Sequence, residues 1–177
     1  MTTNEIADVI IKSMVERQFP IFLTTFAGRG MDEADVFGIN NNGFMYEYEI
    51  KRSRADFLSE FKNKDGKHRK LADRISSKTY DVWKKGKRTD EKETFIIIPN
   101  RFYFACEEGL IKPEELPEYA GLVYIDPTIN QFTEKKNAPL LHKLKANEQI
   151  YQRVSNILSQ RIIYGCSYYT FKHSNLK

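Results

Sequence analysis

The sequence predicts an α/β domain in which a central mixed sheet is flanked by helices. Three observations carry that expectation. Asn4–Arg17 repeats its apolar residues, Ile6, Val9, Ile10, Met14 and Val15, at close to helical spacing. Three β-rich segments follow, and the last two are separated by Asn40–Asn41–Asn42–Gly43; an Asn-Gly pair between strands is a strong hairpin signal. Strand-like patterns return at Thr94–Cys106 and Gly121–Ile125 before a closing amphipathic helix, so strands and helices interleave as a layered domain requires.

The first helix has Thr3 or Asn4 to cap it and Pro20 beyond its end. Ile21–Phe26 reads as a strand broken by Gly28–Arg29–Gly30, and Ala34–Ile39 and Phe44–Lys51 as the two arms of the hairpin. Ser53–Phe61 turns helical: Ser53 is a good N-cap with Asp56 three residues on, and Phe57, Leu58 and Phe61 form an apolar stripe. The segment Asn63–Arg88 is polar and basic, with a loose helical signal around Leu71, Ile75 and Val82, and Thr89–Glu93 reads as an acidic turn. Thr94–Cys106 is strand-like with a break at Pro99–Asn100, and Lys112–Leu116 is one helical turn entered through Pro113. The closing helix, Ala146–Tyr164, carries Ile150, Val154, Ile157, Leu158 and Ile162; the aromatic, basic residues after it follow no placeable pattern. The expectation is a single domain over residues 1–177, with a basic insertion at about 63–93.

Composition narrows the function classes. With 29% charged and 41% hydrophobic residues, the 177-residue chain has a soluble globular composition. No apolar run approaches the roughly 20 residues that span a bilayer, and the N-terminus lacks the basic and apolar regions of a secretory signal. Cys106 and Cys166 form no CxxC pair, which removes a disulfide scaffold and a zinc finger as organising principles. A cytoplasmic location is the default expectation. The net charge is only +4, but residues 51–88 hold 14 Lys/Arg against 5 Asp/Glu. Such a segment suits a polyanionic partner, or else a solvated basic helix face.

The chemistry concentrates between Asp35 and Arg54. Along a strand, residues i and i+2 share a face, so Glu47, Glu49 and Lys51 point one way and Tyr46, Tyr48 and Ile50 the other. Asp35, on the preceding strand, adds a carboxylate to the same side. Phosphodiester hydrolysis needs such a set: carboxylates to hold a hard divalent cation with open positions, an oriented water, and fixed positive charge for the transition state. Asp35, Glu49 and the backbone carbonyl of Ile50 are the candidate ligands for Mg²⁺ or Mn²⁺. Lys51 is the candidate to position the water, or to act as a base if a nearby dication depresses its pKa.

Asp35 followed by Glu49–Ile50–Lys51 resembles the PD-(D/E)XK nuclease superfamily. The words Ala34–Asp35–Val36, Glu49–Ile50–Lys51–Arg52–Ser53–Arg54–Ala55–Asp56–Phe57, Arg101–Phe102–Tyr103–Phe104–Ala105 and Ala120–Gly121–Leu122 resemble, in order, those of MmcB-type DNA repair proteins of bacteria or phage. The resemblance runs from about Gly30 to Asp126. It implies a restriction-endonuclease-like αβββαβ core, DNA as the partner, hydrolysis with Mg²⁺ or Mn²⁺, and a homodimer as an assembly such nucleases adopt. Ala34 stands where the superfamily usually has proline, and the basic insertion is longer than the corresponding link in the family.

The same resemblance makes Glu16, on the first helix, a tentative further metal ligand; by its angle it is equally a plain exposed glutamate. Arg52 and Arg54 are candidates for phosphate contacts near the scissile bond, with helix-flank solubility as the alternative. Lys64, Lys67, His68 and Arg69 are candidates for tracking a nucleic-acid backbone. Glu47 reads as a surface charge or a supporting acid. Trp83 and Tyr80 suit base stacking or anchoring of the insertion. Two other functions stay open: a nuclease-fold module that binds nucleic acid or a protein without cutting, and an effector that does neither.

Overall fold

The computed structural model describes residues 1–28, 31–73, 77–84, 87–96 and 98–163. Helix α1 (Thr3–Glu16) opens the chain. Its cap is Thr2, one residue earlier than the spacing suggested: the Thr2 hydroxyl accepts from the Glu5 N–H while the Glu5 carboxylate accepts from the Thr2 N–H, a reciprocal box that closes the first turn. Strands β1 (Ile21–Gly28), β2 (Met31–Ile39) and β3 (Met45–Ile50) then form an antiparallel meander. The β2–β3 turn follows its sequence signal. Asn40 Oδ1 accepts from the N–H groups of Asn42 and Phe44, and Gly43 takes a φ of 80°, which side chains with a Cβ rarely adopt.

The chain crosses over through α2 (Arg54–Asn63), α3 (Asp65–Ala72) and a separate two-stranded hairpin, β4 (Ser77–Lys84) with β5 (Lys87–Ile96). It returns as β6 (Arg101–Cys106), parallel to β3. Strand β7 (Ala120–Asp126) lies parallel to β6, and β8 (Gln131–Lys136) closes the edge antiparallel to β7. Helix α4 (Glu148–Ile163) ends the described chain. The main sheet has six strands in the order β1-β2-β3-β6-β7-β8.

Three expectations change. Val82 and Thr89–Glu93 lie within the strands of the hairpin rather than in a loose helix and a turn. Strand β8 (QFTEKK) was not expected, because its residues are mostly polar and half-exposed, as an edge strand allows. Ser53 does cap α2, accepting from the Asp56 N–H. The residues after Ile163, including Cys166, lie outside the described ones.

The pleat divides the sheet into two faces. Val36, Tyr48, Ile50, Tyr103 and Val123 pack with Ile6, Ile10 and Met14 of α1. The opposite face meets the other helices: Phe102, Phe104 and Cys106 pack with Phe57 of α2 and Leu71 of α3, and Phe37, Ile39 and Met45 with Ile150 and Val154 of α4. Asn100 is fully buried and ties the 138–147 stretch to this frame. Its Oδ1 accepts from the Met45 N–H at 2.7 Å, and its Nδ2 donates to the carbonyls of His142 and Leu144.

A buried acid–lysine cluster on the helix-covered face

The face covered by α2, α3 and α4 should be apolar throughout. It is interrupted where β2 and β3 bring Asp35, Glu47 and Glu49 to it, with Lys51 just beyond the strand end. Register explains the convergence. Val36 pairs with Tyr48 and Phe37 with Glu47, so Asp35 falls beside Glu49 and on the same side. Asp35 Oδ2 accepts from the Ile50 N–H at 2.7 Å, which fixes the carboxylate against the Glu49–Lys51 backbone. Among the described residues Asp35 forms no ion pair. Burial, and then the charge of Glu49, push it up to about 6.

Glu49 is the opposite case. Its Oε1 accepts from Lys51 Nζ at 3.2 Å and from Lys64 Nζ at 2.5 Å, and its Oε2 from Lys67 Nζ at 2.8 Å. Burial opposes its charge, but the ammonium groups outweigh burial and hold the carboxyl below its usual range. Lys67 also lies 2.5 Å from Glu47 Oε1, an ion pair without hydrogen-bond alignment. It donates to the Glu33 carbonyl at 2.8 Å and sits over the Phe102 ring. Burial pushes Glu47 up to about 7 against the pull of Lys67.

Helix α2 contributes Glu60. Its Oε2 accepts from Lys51 Nζ at 2.7 Å and its Oε1 from His68 Nε2 at 3.1 Å; His68 Nδ1 meets the Tyr119 hydroxyl at 2.8 Å. Burial works against the charge of Glu60, yet the bonds from His68 and Lys51 bring its pKa down to about 2. Lys51 is thereby fixed. Burial would lower its pKa, but Glu49, Glu60 and Asp56 more than reverse this, and the net direction is upward. Lys51 is thereby held as a positive charge between the Glu49 and Glu60 carboxylates.

The expected site residues fall into three groups. Asp35, Glu49, Ile50 and Lys51 come together. Lys67 and His68, expected on a surface that tracks phosphates, are instead 4% and 6% exposed and belong to the cluster; Lys64 is half-buried beside them. Lys67 and His68 point inward because α3 docks on the sheet with them and Leu71 on its buried side. Glu16 is corrected too: α1 covers the other face, and the exposed Glu16 borders a cavity with Ser13, Asn130 and Phe132. Arg52, Arg54 and Arg69 are exposed. Arg52 donates to the Met1 carbonyl, Arg54 makes a two-pronged pair with Glu115, and Arg69 pairs with Asp65. Of the acids near Asp35, Asp32 pairs with Lys70 and Glu33 is exposed. Trp83 and Tyr80 lie in β4, whose side chains are outside the description.

Sequence reasoning missed Glu60 and Tyr119 and undervalued Glu47. A signal for Glu60 exists, since it stands between Phe57 and Phe61 on the buried side of α2. Glu47 had its face parity with Glu49. Tyr119 had no signal.

No family model matches the chain, and no curated protein does. A solved structure does: a protein of unknown function from Silicibacter pomeroyi superposes with a TM-score of 0.59 at 16% identity, covering 96% of this chain and 99% of that one. The likeness is one of fold. No described helix is long and apolar enough to cross a membrane.

Proposed function

We propose that this chain is a metal-dependent nuclease with a restriction-endonuclease-like core, hydrolysing DNA phosphodiester bonds in repair or processing. The observation that carries this reading is the arrangement of Asp35, Glu49 and Lys51 on one sheet face, with Asp35 anchored on the Ile50 N–H. A carboxylate without an ion pair among the described residues and pushed up to about 6, next to a second carboxylate, is a place where a cation would relieve repulsion. Among the described residues, no three His, Cys, Asp or Glu side chains converge as a ready metal group. On the register that sets Asp35 beside Glu49, the donors that would hold Mg²⁺ or Mn²⁺ are two carboxylates and a neutral oxygen: Asp35, Glu49 and the Ile50 carbonyl. When bound, such an ion polarises a phosphoryl oxygen and acidifies water.

The chain's own residues supply the rest. Lys51 is held charged by Glu60 and Glu49, and in this reading it supplies the fixed positive charge that meets negative charge developing on a phosphate oxygen. His68, its other ring nitrogen on the Tyr119 hydroxyl, holds Glu60 in turn. Arg52 offers an exposed guanidinium group for phosphate, whereas Arg54 and Arg69 would first have to leave Glu115 and Asp65.

A second reading has a specific observation behind it. Both oxygens of Glu49 are occupied by ammonium groups, as they would be in a nuclease fold that only binds nucleic acid or a protein. One experiment separates the two. Linear, nicked, single-stranded and branched DNA are incubated with the protein and Mn²⁺, alongside Lys51→Ala and Asp35→Ala. Cleavage by the wild type that both variants lose supports the enzyme; binding of DNA without cleavage of any substrate supports the module.

A further inference from the structure

Glu49 and Asp35 share a face but not a charge balance. Three lysines serve Glu49 and none pairs with Asp35 among the described residues. The three lysines differ in how they are held. The Lys51 side chain is 4% exposed and also bound by Glu60 and Asp56; the Lys67 side chain is 3% exposed and also bound by Glu47 and the Glu33 carbonyl. Lys64 stands at the junction of α2 and α3, its side chain is 34% exposed, and its other carboxylate, Glu60, is 3.5 Å away. Of the three, Lys64 alone has an open route to water. The Glu49 carboxylate that it caps lies beside Asp35 on the same sheet face.

The geometry points to Lys64 as a displaceable counter-ion: in the metal-free chain its ammonium neutralises the Asp35–Glu49 pair, and a divalent cation binds there by driving Lys64 out to solvent. This rests on the metal-site reading above and adds a competitor to it. Lys51 and Lys67 stay in place when Lys64 leaves, because each keeps other buried partners. The lysine therefore sets the affinity of the site for metal without being part of the set that would hold it.

The test is calorimetric titration of Mn²⁺ into the full chain and three variants, with circular dichroism to check folding. Lys64→Met removes the ammonium and keeps most of the stem. Lys64→Arg keeps the charge. Lys62→Met, an exposed lysine on the same helix, measures the background effect of losing any nearby positive charge. The expected result is Mn²⁺ binding about tenfold or more tighter in Lys64→Met than in wild type, a change within about twofold in Lys62→Met, and no gain in Lys64→Arg. If wild type binds Mn²⁺ and Lys64→Met gains no more than Lys62→Met does, the counter-ion role is wrong and the metal site stands. If neither wild type nor Lys64→Met binds Mn²⁺, the metal-site reading falls and takes the competition with it.

Discussion

Replacing Asp35 by asparagine removes a charge that the fold holds at a disadvantage. In the unfolded chain this carboxyl ionises near 3.8, and in the native protein near 6. The native state therefore binds the proton more tightly. The stabilisation is complete below about pH 4 and is lost as pH rises through 6, because between those values the folded protein holds a proton that the unfolded chain has released. A gap of about two pK units corresponds to roughly 3 kcal/mol. Asparagine is a neutral near-isostere that keeps an oxygen to accept from the Ile50 N–H. Asp35→Asn should therefore be more stable than wild type by about 1–3 kcal/mol at pH 7, and the difference should shrink towards zero at pH 4. Urea unfolding at the two pH values, with unchanged m-values, measures this directly. Equal stability differences at pH 4 and pH 7, or a variant less stable at pH 7, would refute the electrostatic reasoning. The same substitution should abolish Mn²⁺ binding, so a gain in stability would accompany a loss of function.

Lys67→Met leaves Glu47 and Glu49 facing each other in a buried setting and should cost about 3–5 kcal/mol in urea unfolding, far more than loss of an exposed lysine. Gly121→Ala tests the closeness of β7 to its neighbours. The added Cβ would lie 2.5 Å from the Tyr103 ring and 2.6 Å from the Ala138 N atom, and thermal unfolding should show a loss of about 1–3 kcal/mol. A stability within experimental error of wild type would mean that β6 and β7 pack less tightly than described.

Much of the frame was legible because its signals are local. The apolar spacing of α1, the Asn-Gly turn and the Ser53 cap each act within a few residues, and each appears where the sequence put it to within a residue or two. The alternation that set Glu47, Glu49 and Lys51 on one face also holds, since parity along a strand does not depend on tertiary context. What failed was whatever needed the other side of a contact. Strand β8 has no apolar face of its own and exists by pairing with β7. The β4–β5 hairpin is rich in charge, and Leu71 and Val82, spaced as one loose helix would be, lie in a helix and in a strand, while Ile75 is outside the described residues. Glu60 was missed, and Lys67 and His68 misplaced, for one reason: charged and polar residues are expected outside unless paired, and the pairing spans β3, α2, α3 and Tyr119. A buried acid–lysine network can be recognised from sequence only once both partners are placed.

The most direct measurement is a crystal structure of the protein soaked in Mn²⁺, with anomalous scattering to locate the ion. The prediction is one strong peak in contact with the Asp35 and Glu49 carboxylates and the Ile50 carbonyl, with Lys51 still bound to Glu60. A peak elsewhere, or none at saturating Mn²⁺ with Glu49 still capped by its lysines, would contradict the assignment of a metal-dependent nuclease.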